Sequence, residues 1–77
     1  MNLYDGTAED VRQFVVAVAG LAARDFAAGG KEYGRTGESL MAEIAPHSYR
    51  IMHRKMATSI YNNTMRTLHL MQIERAI

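Results

Sequence analysis

Seventy-seven residues, 48% of them hydrophobic and 22% charged, with a formal net charge of +1, one proline and no cysteine or tryptophan, describe one small domain. A chain of this length buries only about 60% of the surface its unfolded form exposes, so it builds a single modest core, and barrels, doubly wound sheets and two-domain enzymes are excluded. The lack of cysteine removes disulfide frameworks and thiolate metal sites, which leaves oligomerisation or a partner as the expected source of further buried surface.

The opening residues Met1-Asn2-Leu3-Tyr4-Asp5-Gly6 are acidic, with no basic stretch. The longest apolar run, residues 14–23, is about half the ~20 residues that a bilayer crossing needs. Neither a secretory signal nor a membrane span is expected, and a cytoplasmic location follows as the default.

A first helix is expected over residues 8–28. Thr7-Ala8-Glu9-Asp10 resembles a capping box, its two acids lie where the helix dipole favours negative charge, and Gly29-Gly30 supply a left-handed stop. Val11, Phe14, Val15, Val18, Leu21 and Phe26 recur at spacings of three and four and form one wide stripe. The opposite side is apolar too, with Val16, Ala19, Gly20, Ala23 and Ala27 forming a small-residue face. A helix apolar all round is normally buried all round. One face is therefore assigned to the chain's own core and the other, through Val16, Gly20 and Ala23, to self-association.

Residues 29–37 hold four of the six glycines and read as a mobile loop presenting Lys31, Tyr33 and Arg35. Gly29-Gly30-Lys31-Glu32-Tyr33-Gly34-Arg35-Thr36 has the spacing of a phosphate loop, with Arg in place of Lys. A phosphate loop follows a strand, whereas a helix precedes this one, so nucleotide hydrolysis is not supported. Anion binding by Lys31, Arg35 and the amides before the next helix stays open.

A short helix over residues 38–44 places Leu40, Met41 and Ile44 on one side. Pro46 either kinks it or occupies the first turn of the next helix. That last helix spans residues 47–76. Tyr49, Met52, Met56 and Ile60 form a stripe with His53 on its edge, and a second stripe of Tyr61, Met65, Leu68 and Ala76 follows, turned by roughly a third of a circle. Either the helix breaks at Asn62-Asn63 or it continues and hands its two ends to different partners. Thr64 has no Glu or Gln three residues on to cap a new helix, which favours a continuous or gently bent one. Its second half, through Tyr61, Met65 and Leu68, is then assigned to self-association. Five of the six methionines lie at positions 41–71, and methionine suits surfaces that repack against a partner.

The small net charge is a cancellation. Residues 1–44 carry seven acids and four bases, net −3, whereas residues 45–77 carry five bases and one acid, net +4. Arg50, Arg54 and Lys55 mark a basic face of the last helix that fits phosphates or an acidic protein surface. A sequence pI of about 8.2 is low for a nucleic-acid-binding domain, where values above about 9 are usual. His47, His53 and His69 stand six and sixteen residues apart, not the three or four that put two metal ligands on one helix face. No metal, cofactor or catalytic constellation is expected.

The expected fold is all-α: a small helical hairpin or three-helix domain, with a long first helix, a glycine-rich loop, a short helix and a long C-terminal helix packed back as a hairpin, assembled as a homodimer. The expected function is a non-enzymatic protein–protein interaction module, a small regulator or inhibitor of a larger protein. Tyr33, Arg35, Arg50, Arg54 and Lys55 are the candidate partner contacts. The alternative is a dimeric nucleic-acid-binding protein using the basic face.

Overall fold

Helix α1 covers Ala8–Ala27, with Glu9 and Asp10 in its first turn. Glu9 is also held by Arg12 and by Gln13, whose Nε2 donates to it at 3.2 Å. The end of α1 is set by its two glycines. Gly29 takes φ +89°, and its N–H bonds the carbonyl of Phe26 at 3.0 Å while the Gly30 N–H bonds that of Asp25 at 2.6 Å. These two bonds make a Schellman cap. A Cβ on Gly30 would meet the Asp25 carbonyl oxygen at 2.7 Å, so the second glycine is a packing requirement as well.

The structure, a computed structural model, describes residues 8–44 and 52–76, and among these α1 is followed by α2 (Gly37–Ile44) and α3 (Met52–Ala76), with no strand. The capping box at Thr7 and the expectations for Pro46, His47, Tyr49 and Arg50 lie outside the described residues. Thr36 is the N-cap of α2: its Oγ1 accepts the Ser39 N–H at 3.0 Å, and its carbonyl accepts the Leu40 N–H at 3.1 Å. The phosphate-loop spacing is thereby accounted for locally, its first glycine ending one helix and its threonine starting the next.

The core joins Phe14, Val18, Leu21 and Ala22 of α1 to Leu40 and Met41 of α2 and to Ala57, Tyr61 and Met65 of α3. Phe14 meets His53 edge-on with ring centroids 5.4 Å apart, and Phe26 meets His69 at 4.8 Å. Both pairings advance together along the chain, so α1 and α3 run parallel. The expected packing of the C-terminal helix back on the first as a hairpin is therefore corrected: the two pack side by side in the same direction, with the loop and α2 between them in the chain.

α3 is continuous through Asn62-Asn63. Its buried side chains are His53, Ala57, Tyr61, Asn62 and Met65. A row spaced by four residues turns about 40° per step on a helix of 3.6 residues per turn, and so about 120° from position 53 to position 65. The offset between two stripes, taken from the sequence as a change of partner, is the drift of this single row. The assignment of Tyr61 and Met65 to self-association is therefore corrected: they are 2% and 0% exposed, inside the chain's own core. Leu68 is half-buried beside them. Val15 is also displaced from its expected place, being on the rim of the core face and 38% exposed.

Truncation at Met65 removes a fully enclosed side chain, whereas truncation at Val16 touches one that is 58% exposed. Urea titration is expected to show Met65→Ala destabilised by about 2–5 kcal/mol and Val16→Ala changed by no more than about 0.5 kcal/mol.

Candidate interaction surface

A carboxylate in the last turn of a helix faces the negative end of the dipole, so Asp25 needs partners from elsewhere in the fold. It has them: its Oδ2 accepts from the Arg35 Nε at 2.7 Å and from the Tyr61 hydroxyl at 2.7 Å, and Arg24 approaches Oδ1 at 3.3 Å. Arg35 also reaches Glu43 on α2, with 2.8 Å between its Nη1 and Oε1, and Arg24 bonds the other Glu43 oxygen at 2.9 Å. The Arg35 guanidinium first, then the Tyr61 hydroxyl, hold the Asp25 carboxyl at about 2, below its ordinary 3.8. Burial, followed by the bond to Asp25, pushes the Tyr61 phenol up to about 12. Glu43 is lowered by Arg35 and then Arg24.

Arg35 is therefore not presented to a partner, as the sequence suggested. Its side chain is 21% exposed and its donors are committed to two carboxylates. The loop is pinned as well. The Tyr33 N–H bonds Oδ1 of Asn62 at 2.8 Å, and Glu32 accepts from the Arg66 Nε at 2.9 Å. Glycine content suggested freedom, but four cross-links with α1, α2 and α3 remove it.

Tyr33 is the exception. Its backbone lies in the left-handed region at φ +63°, the one positive φ outside glycine among the described residues, and the residue is 73% exposed. For a bulky L residue this conformation costs about 1–2 kcal/mol, and the buried Asn62 amide, 6% exposed in mid-helix, holds it there. The phenol hydroxyl lies 3.4 Å from Nη2 of Arg66.

The basic face of α3 is largely answered by the chain's own acids. Arg54 donates to Glu38 at 2.8 Å, and Arg66 is held by Glu32. Lys55 remains exposed on the rim of an open cleft of about 610 Å³ between the start of α2 and α3. Gly37 floors this contact: a Cβ there would lie 3.0 Å from the Cβ and the carbonyl oxygen of Arg54. On α1, Val16, Gly20 and Ala23 are all exposed. Among the described residues no three acids or histidines gather to hold a metal ion, and no helix is long and apolar enough to cross a membrane.

Asp25, Asn62 and Glu43 were not singled out from the sequence. Asp25 had a legible signal, an acid in the last helical turn. Asn62 was weighed only as a place where the last helix could break, an option set below a continuous helix, and its buried side-chain oxygen is instead the acceptor for the Tyr33 N–H. No known family model, curated protein or solved structure matches this chain.

The folded chain binds the Asp25 proton less readily than the unfolded one, so this carboxylate stabilises the fold above its ordinary pKa, and the contribution disappears as pH falls through about 2. Relative to Asp25→Asn, the native chain is expected to gain about 2 kcal/mol at neutral pH, narrowing below about pH 4. Urea titrations of both proteins across this range test the difference.

Proposed function

We propose that the chain is a non-enzymatic protein-interaction module, a small regulator or inhibitor that presents Tyr33 as an anchor to a larger protein partner. The observation that carries this reading is the cost at which Tyr33 is displayed. A strained backbone and a buried asparagine hold an aromatic ring 73% exposed on a loop that is otherwise tied down. Strain maintained at one exposed residue points to use of that residue, and rigid exposed tyrosines are favoured interface anchors because little entropy is lost when they bind. The titratable groups beside the loop, Asp25, Arg35 and Tyr61, are bonded to one another, which supports a binding role over proton-transfer chemistry. Apolar side chains left exposed on the outer helices, Val16 of α1 at 58% and Leu70 and Ile73 of α3 at 54% and 58%, support self-association of the module.

Stability and binding should separate at this position. Tyr33→Gly relieves the left-handed strain and is expected to stabilise the fold by up to about 1 kcal/mol while abolishing partner capture. Quantitative affinity capture from the native host, comparing native and Tyr33→Gly baits, reads the second effect. Equal enrichment by both baits would remove Tyr33 from the contact.

Arg54 and Arg66 are ion-paired within the chain, so few cations remain for a phosphate backbone. Titration with random duplex and single-stranded DNA at about 50 mM salt is expected to show no binding. Measurable binding that collapses at about 200 mM salt would instead establish the nucleic-acid reading.

A further inference from the structure

We infer that two copies of the chain associate through the free ends of α3, the helices antiparallel, with Leu70 of each copy against Ile73 of the other; this deepens the self-association reading above and rests on it. α3 outlasts the body it packs on. His69 still stacks edge-on against Phe26, but residues 70–76 are exposed on every side. They include Gln72 and Ala76, which continue the side buried at Tyr61 and Met65. Seven residues extend about 10 Å, and helix in water depends mostly on packing of an apolar face. Leu70, Met71 and Ile73 on this extension are 54%, 47% and 58% exposed, three of the six large apolar residues left uncovered among the described residues.

Charge selects the alignment. Leu70 and Ile73 share one side of the helix with Arg66 one turn before them. A parallel pair along that side sets Arg66 against Arg66, and like charges in register repel. An antiparallel pair about a two-fold axis between residues 71 and 72 sets Leu70 against Ile73 twice. It also brings Glu74 of each copy within a turn of Arg66 on the other. Arg66 is 52% exposed in its pair with Glu32 and has room for a second carboxylate. The contact is isologous and closed, so it ends at the dimer. Two such helix ends cover less than the about 800 Å² per partner of a standard interface, which makes this a weak, reversible contact.

Sedimentation equilibrium from about 5 µM to 1 mM tests this on the whole chain. The native protein is expected to pass from monomer to dimer. Leu70→Glu/Ile73→Glu should weaken association at least about tenfold. Glu74→Arg should weaken it about threefold or more, and Val16→Glu should leave it unchanged. All four changed positions are exposed, and helical circular dichroism checks each fold. A native dimer indifferent to Leu70→Glu/Ile73→Glu overturns this contact while leaving self-association standing, and loss of the dimer in Val16→Glu alone moves it to α1. A native protein monomeric at 1 mM overturns both.

Discussion

The Asp25 carboxylate is the point at which the fold is joined. It lies on α1, accepts from Arg35 in the loop and Tyr61 on α3, and through the other face of the Arg35 guanidinium is linked to Glu43 on α2. Each helix thus contributes at least one polar group to a cluster at the edge of the apolar core. Tyr61 belongs to both, with its ring 2% exposed in the core and its hydroxyl on the carboxylate. Such a cluster works as a unit. Removing one member leaves the others desolvated and incompletely bonded, which costs more than the bond itself contributes.

What the cluster fixes most directly is the loop. Ordering a residue costs about 1–2 kcal/mol of backbone entropy, and glycines lose more than most. Between α1 and α2 the chain meets that cost with a Schellman cap at Gly29-Gly30, the Asn62 amide at Tyr33, the two carboxylates at Arg35 and the N-cap at Thr36. Residues that read as a flexible connector thereby become a rigid mount. The Tyr33 backbone is bonded to Asn62 and its hydroxyl lies 3.4 Å from Arg66, while the residue as a whole stays 73% exposed, so its ring is the part of the mount that faces outward.

Much of the architecture was legible in the sequence because it depends on local rules. Apolar spacing gave the helices, paired glycines gave the end of α1, and Leu40, Met41 and Ile44 gave the inner side of α2. The Tyr61–Met65 assignment failed because a row spaced by four drifts around α3, and a fixed projection turns drift into a change of face. The polar cluster was hidden for a different reason. Asp25, Arg35, Glu43 and Tyr61 are separated by 8 to 36 positions in the chain, and no periodicity relates them. They come together only once α1 and α3 are seen to run parallel. The αL conformation of Tyr33 was likewise illegible, since tyrosine is among the residues least expected there.

The opposed charges of the two halves follow from the same geometry. Acids of the first half, Glu32 and Glu38, are bound by bases of the second, Arg66 and Arg54, so the −3 and +4 segments largely neutralise each other within one chain. Attraction between the halves therefore favours the fold and leaves little field to steer a polyanion. Apolar groups face outward beside these ion pairs. Val16, Tyr33, Leu70 and Ile73 are each more than half exposed, on three separate elements. A surface of this composition discriminates by shape and apolar contact, and its affinity should depend little on salt. The distribution of charge and apolar surface thus supports the same proposal as the strained tyrosine: recognition of other proteins, by a fold that has already matched many of its charges internally.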